Sequence, residues 1–371
     1  MGIWCSALEM LGLTHFGGVY HGKRVLLTGH TGFKGSWLSL WLTELGADLT
    51  GVALSPETEL NHWDPLGLSI DDRRIDVRDL VELQRVFDTT QPEIVFHLAA
   101  QPLVRRSYRD PIDTWSSNVM GTANILEACR HQASVKAVLV VTTDKCYENQ
   151  DWAWGYREND PLGGHDPYSA SKAATEHVAA SYRSSFFHLD SSPLLATARA
   201  GNVIGGGDWS EDRLIPDLIR AIEKKQSLEI RAPLATRPWQ HVLESLSGYL
   251  LLGQKLLSGD QSYAEAWNFG PEREGNRTVS EVLTKLKAQW ETLCWHVTDQ
   301  LQPHEANLLY LDSAQARTKL GWQPVWNLDV TLEKTAEWYR AWLLDKAIIS
   351  RKQLADYLEA AIDAGIEWAK P

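Results

Sequence analysis

Five residues, Tyr168-Ser169-Ala170-Ser171-Lys172, set a phenol and an ammonium four positions apart. On a helix that spacing puts both on one face, and a neighbouring cation favours the phenolate over the phenol. The expectation is a tyrosine drawn down from its ordinary pKa of about 10 toward neutrality. Such a group can take the proton of a hydroxyl while hydride leaves the same carbon. The same spacing also suits an exposed Tyr–Lys pair with no chemistry, so the reading needs a site for a hydride acceptor. One is suggested upstream, where the apolar run Arg24-Val25-Leu26-Leu27 leads into Thr28-Gly29-His30-Thr31-Gly32-Phe33-Lys34-Gly35 and then the helical pattern Trp37-Leu38-Leu40-Trp41-Leu42. Glycines there permit positive φ and close approach of the backbone to a pyrophosphate. The helix that follows aims its first amides at the phosphates. A glycine-rich turn between strand and helix is often only packing; it is the two motifs together that point to a nicotinamide dinucleotide.

Apolar runs and helical periodicity place strands at 24–28, 48–54, 94–98, 137–142 and 195–200, with helices at 35–45, 80–90, 117–130 and 169–183. This alternation implies a parallel sheet with helices on both faces. Past Gly201 the rhythm breaks into loops rich in Gly, Pro and Trp and into shorter elements. The expected class is therefore α/β, a Rossmann-type doubly wound parallel sheet followed by a smaller mixed α/β substrate-binding domain. Residues 1–21 read as a variable lead-in with a short helix near 7–11, residues 22–200 as the dinucleotide-binding domain, 201–345 as the substrate domain and 346–371 as a helical tail.

Bulk properties exclude several classes. A net charge of -12 over 371 residues argues against a nucleic-acid surface. Cys5, Cys129, Cys146 and Cys294 are widely separated, which suits reduced thiols in a cytoplasmic protein and suggests neither a metal site nor a disulfide framework. No apolar stretch approaches the ~20 residues of a membrane span, and the first twenty residues lack the cationic start and apolar centre of a signal peptide.

With these motifs in place the chain resembles the extended short-chain dehydrogenase/reductase family of nucleotide-sugar epimerases and dehydratases, over about residues 22–342. The resemblance rests on the Thr-Gly-x-x-Gly-x-x-Gly turn, His97-Leu98-Ala99-Ala100-Gln101, Asn118-Val119-Met120-Gly121-Thr122, Thr142-Thr143-Asp144-Lys145 and the Tyr-x-x-x-Lys. Four stretches narrow it to the CDP-glucose 4,6-dehydratase group: Gly29 to Trp37, Asp144-Lys145-Cys146-Tyr147, Arg199 to Trp209, and Arg237-Pro238-Trp239-Gln240-His241-Val242.

That resemblance implies the rest. NAD would be held by Gly29, Thr31, Gly32, Phe33, Lys34 and Gly35, by Asp76 and Val77 at the adenine, by Leu98, Ala99, Ala100 and Ser117, and by Tyr168 and Lys172. The second strand ends Ala53-Leu54-Ser55-Pro56-Glu57, with neither an acid at its tip for the ribose nor an Arg or Lys for a 2′-phosphate. Tyr168, helped by Lys172 and Thr143, would take the C4 hydroxyl proton while the C4 hydride passes to NAD. Water would then leave across C5 and C6, Asp144 protonating the departing hydroxyl if burial keeps it neutral. Lys145 stands where related dehydratases carry a glutamate that removes the C5 proton; it is either a base, an ion-pair partner of Asp144 or a phosphate contact. Asn202, Arg213 and Arg237 would hold the diphosphate, Gln101 the sugar and His304 the nucleotide, while Trp209 and Trp239 are candidates to stack on CDP-glucose. The segment 241–255 would return to the first domain. A homodimer would form through helices 117–130 and 169–183. A dehydratase acting on a dTDP- or UDP-sugar, an epimerase, and a catalytically silent NAD-binding scaffold remain open at this point.

Overall fold

The computed structural model describes residues 14–189, 191–298 and 308–370. The expected helix near 7–11 and His304 lie outside these residues. Seven strands form one sheet: β1 (Arg24–Thr28), β2 (Asp48–Ala53), β3 (Asp71–Arg74), β4 (Ile94–His97), β5 (Ala137–Val141), β6 (Leu194–Ala200) and β7 (Ala266–Phe269). Their order is β7-β6-β5-β4-β1-β2-β3, and every neighbouring pair is parallel. The order reverses between β1 and β4, and in such sheets ligands bind beyond the carboxyl ends at that point.

The longer helices are α1 (Phe33–Glu44), α2 (Leu80–Thr90), α3 (Gly121–His131), α4 (Pro167–Ser185), α5 (Leu214–Glu223), α6 (Val242–Leu257), α7 (Val279–Gln289), α8 (Leu328–Asp345) and α9 (Ser350–Asp363). Both faces of the sheet are covered, so its central strands read as continuous apolar runs; all five residues of β5, Ala-Val-Leu-Val-Val, are buried. Side chains alternate between two cores. Leu26, Val95, Val138 and Leu195 pack with α2 and α3 on one face. Val25, Phe96, Leu139 and Ala196 pack with α1 and α6 on the other.

Helix α1 carries apolar residues all round, and Gly35 through Leu42 are all buried. A helix of that pattern needs cover on every side. The sheet supplies one side; α6 and α9 supply the rest. Around its far end two distant segments meet. Phe16 stacks on Trp368 at 4.9 Å, both rings lie within 6 Å of Trp41, and the His15 ring nitrogen Nδ1 pairs with the Ala369 carbonyl at 2.8 Å.

Two strands were not expected from sequence. β3 is Asp-Asp-Arg-Arg, exposed throughout, and carries no apolar signal. β7 falls among the loops after Gly201 and adds to the sheet beside β6. Helix α6 packs on β5 and β6. Short ribbons, among them Val203–Ile204 with Gln240–His241 and Thr236–Pro238 with Asn276–Thr278, stand over the carboxyl edge. Among the described residues no helix is long and apolar enough to cross a membrane, and no three His, Cys, Asp or Glu side chains cluster as metal ligands would.

Candidate active site

A cleft of about 1720 Å³ runs along the carboxyl edge, bounded by the glycine turn, the ends of β4 and β5, the start of α4 and the loops past Gly201. At the turn, Gly29 has φ +74°, and a Cβ there would stand 2.7 Å from the Ala99 amide nitrogen. A Cβ on Gly35 would meet the Gly29 carbonyl oxygen at 2.0 Å. Strand, turn and helix are therefore closed up as only glycine allows. Gly32 caps α1 without a side-chain hydrogen bond, so the first amides of the helix face the cleft with no acceptor of their own. Thr31 holds the turn's outer limb by donating to the Leu54 carbonyl at 2.9 Å. This cradle and its free amides fit a dinucleotide pyrophosphate. Every cofactor residue expected from sequence borders this one cleft, Ser117, Asp76 and Val77 included.

At the end expected to take the adenosine, the carboxylate of Asp76 is taken by Arg78 through its backbone amide, Nε and Nη2, the last at 2.6 Å. Those hydrogen bonds hold it below the usual carboxylate range. The expectation that no Arg or Lys stands at the tip of β2 needs correcting. Arg74, from the unforeseen β3, donates to the Leu54 carbonyl at 3.1 Å while pairing with Asp72 at 2.7 Å. Asp72 also receives the buried His30 ring at 2.9 Å.

The residues expected to be catalytic are gathered by β5 and α4. Thr143 Oγ1 donates to Asp144 Oδ1 at 3.0 Å and accepts the Lys145 amide at 3.3 Å. Asp144 is wholly buried. Its Oδ2 has no hydrogen-bond partner and faces Gly201, where a Cβ would intrude to 3.1 Å. Lys145 Nζ stands 3.6 Å from Asp144 Oδ1, which realises the ion pair among the roles open to it. Tyr168 is buried beside them. Burial pushes its phenol up to about 12, against the opposing pull of the Thr143 hydroxyl and the Arg213 charge. The expected fall toward neutrality is thus not seen. The cost of charging a desolvated phenol wins, and Lys172 turns its ammonium to the Val141 carbonyl at 3.3 Å. Burial also lowers Lys172 itself, to about 8.

Behind this centre lies a network that the sequence reading missed. Glu176, one turn beyond Lys172 on the same face of α4, accepts from Arg199 Nη2 at 2.9 Å, from Thr197 at 2.8 Å and from Thr142. Arg199 also donates to the Tyr147 hydroxyl at 2.7 Å and the Glu158 carbonyl at 2.9 Å, and Tyr147 donates to Asn268 on β7 at 2.8 Å. The buried pair thus ties α4, β6, β7 and the loop bearing Asp144. The i,i+4 arithmetic that joined Tyr168 to Lys172, extended one step, would have found Glu176.

The expected substrate residues are placed unequally. Asn202, Arg213 and Arg237 border the cleft past Gly201, Arg213 paired with Asp208 at 3.2 Å and Arg237 donating to the Thr236 carbonyl at 3.0 Å. Gln101 also borders it, but its amide is used up: Oε1 accepts the Leu103 amide at 2.6 Å and Nε2 donates to Thr114 at 2.8 Å. It shapes the loop, and the expectation that it reaches for the sugar is corrected. Trp209 packs among Trp338, Tyr339 and Trp342, and Trp239 donates to the Arg277 carbonyl. Both are nearly buried, so neither offers an open face for stacking.

A parallel sheet in this order, with a glycine turn at its reversal and a Tyr–Lys pair on the helix beside it, defines an extended short-chain dehydrogenase/reductase. More narrowly, a family model described as GDP-mannose 4,6 dehydratase matches residues 26–335, and the chain belongs to that family. It is 47% identical over 350 residues to the CDP-glucose 4,6-dehydratase of Salmonella typhimurium, covering 92% of this chain and 98% of that one. Among solved structures it is similar to MoeE5 in complex with UDP-glucose and NAD, with 26% identity, a TM-score of 0.72, and coverage of 87% of this chain and 100% of that one. The UDP-glucose 4-epimerase of Thermotoga maritima shares the fold, with a TM-score of 0.74 at 23% identity over 86% of this chain and 99% of its own.

Proposed function

We propose that this protein is an NAD-dependent hydro-lyase that converts CDP-glucose to CDP-4-dehydro-6-deoxyglucose and water. Asp144 carries the reaction class: a buried carboxyl with one oxygen unpartnered, beside a Tyr–Lys pair, suits an elimination that simple C4 epimerisation would not require. The choice of cytidine is supported by the 47% identity to a CDP-glucose enzyme along nearly its whole length. When bound at the glycine turn, NAD would receive hydride from the sugar C4 and return it at C6, so the overall reaction involves no net redox change.

The residues divide the remaining work. Tyr168, as the phenolate that the Thr143 hydroxyl and the Arg213 charge favour, takes the C4 hydroxyl proton, and Lys172 would add its charge only by turning from the Val141 carbonyl. The C4 ketone then acidifies C5–H. Elimination calls for a base at C5 and an acid at the C6 oxygen. Proton transfer from the Lys145 ammonium to Asp144 would turn their ion pair into both at once, a neutral amine and a carboxylic acid. Arg213 and Arg237 offer planar forks suited to the diphosphate, with Asn202 beside them. A cytoplasmic homodimer belongs to the same reading; Ile112 and Trp115, on a segment packed against α4, and Met120, within the other helix expected to pair, are exposed by 75%, 38% and 55%.

Mass spectrometry of CDP-glucose after incubation with protein and NAD tests the proposal, with dTDP- and UDP-glucose alongside. Loss of one water from CDP-glucose alone is expected. Water lost only from another nucleotide sugar would keep the mechanism and overturn the substrate. An unchanged mass throughout, with NAD shown to bind, would overturn the reaction and favour the epimerase or the silent scaffold.

A further inference from the structure

Lys34 is the second residue of α1, yet its side chain does not run out into water. Its Nζ donates to the Tyr249 hydroxyl on α6 at 3.2 Å and lies 5.7 Å from the centre of that ring. The charged groups that act on it are Arg213 ahead of α5, Asp144 after β5 and Lys172 on α4. They are two cations and one carboxylate, and the carboxylate is already paired with Lys145. Tyr249 in turn feels the Tyr168 phenol. The ammonium therefore stands at the catalytic end of the cleft, not the adenosine end. Burial, then the neighbouring Arg213, pulls it down to about 7.

We propose that Lys34 sets the oxidising strength of the bound cofactor, its ammonium penalising the cationic oxidised nicotinamide and not the neutral reduced one. This rests on the reading above, in which hydride leaves the carbon whose hydroxyl Tyr168 serves. In that step the sugar C4 gives up a hydride, its hydroxyl proton goes to Tyr168, and the single positive charge of the nicotinamide is discharged. A like charge held nearby in a poorly solvated cleft favours the discharge. The pyrophosphate carries the same charge in both forms, so its own attraction for Lys34 cancels from their ratio. Two benefits follow. The first step, removal of hydride from a secondary alcohol, is driven forward, and the reduced cofactor is held until its hydride is returned.

The test is the ratio of dissociation constants, Kd for NAD over Kd for NADH, measured by titration calorimetry on the wild type, Lys34→Met and Lys34→Arg across pH. The wild type and Lys34→Arg should both favour NADH. Lys34→Met should move the ratio about tenfold toward the oxidised form, about 30 mV for a two-electron couple. In the wild type the preference for NADH should fade as pH rises and Lys34 loses its proton, whereas in Lys34→Arg only the smaller slope owed to Lys172 should remain. An unchanged ratio in Lys34→Met, with both nucleotides still binding, overturns the proposal. So does a level ratio in the wild type, which decides the matter even if Lys34→Met fails to fold. Failure of the wild type to bind either nucleotide would instead overturn the cofactor reading on which it rests.

Discussion

Among the described residues two glutamates are buried, and they behave in opposite ways. Glu176, behind the catalytic end of α4, is pushed up by burial, but the Arg199 charge and three hydrogen-bond donors outweigh that and hold it below the usual carboxylate range. Glu244, on α6 beneath α9, also has three donors: the Trp326 amide at 2.7 Å, the Val325 amide at 3.0 Å and the Tyr357 hydroxyl at 2.9 Å. Burial nevertheless carries it up to about 7. The difference is an arginine. Hydrogen bonds can seat a buried carboxylate, but a cation is needed to keep it charged. One region is built to hold charge beside the chemistry, the other to pin backbone beneath a helix.

The sharpest way to separate the two regions is Tyr168→Phe. It should lower turnover by about 10²–10⁴-fold while leaving the unfolding midpoint in place, because it touches neither glutamate's donors. Full turnover in this variant would sink the assignment of Tyr168. Next is Arg199→Met, which strands Glu176 without its cation and should cost about 3–5 kcal/mol in urea unfolding. A loss below about 1 kcal/mol would mean that the two regions do not differ as described.

A pH series of unfolding midpoints comes third, and the two carboxylates should pull it in opposite directions. Glu244 has a folded pKa of about 7, above its ordinary 4.5. Its contribution is thus complete below about 4.5 and lost as pH rises to about 7, on the order of 3 kcal/mol at most. Glu176 is lowered, so its contribution is present above 4.5 and lost as pH falls. Glu244→Gln should flatten the upper slope and leave turnover alone; an unaltered slope would remove Glu244 as its cause. The smallest effect belongs to Arg106→Gln. The ion pair with Glu57, itself 61% exposed, should be worth less than about 1 kcal/mol and should fade with salt.

What the sequence disclosed follows from the same physics. Strands β1, β2, β4, β5 and β6 announce themselves because both sheet faces are buried and most of their residues are apolar, β5 throughout. β3 is silent because an edge strand of Asp-Asp-Arg-Arg buries nothing, and with it went Arg74 and Asp72. The glycine turn was legible because close backbone approach admits no other residue at Gly29 and Gly35. The pairing of Glu176 with Arg199 was not: spacing could place Glu176 on the face of Lys172, but a lone charge in a strand carries no mark of the partner that three-dimensional folding brings. The shared helix face of Tyr168 and Lys172 was legible, but the state of the phenol was not: spacing reveals neighbours, whereas the burial that raises the phenol is a property of the whole fold.

The meeting of Phe16 with Trp368 around Trp41 also bears on how the chain is made. A ribosome delivers α1 roughly 300 residues before α9 and Trp368, which cover its outer side. Until then a helix apolar on every face waits with one side bare, the kind of surface that recruits chaperones or sticks to other chains. Loss of the final turn of α9 and the residues after it should therefore show first as poor yield from cells, before any defect in chemistry is measurable.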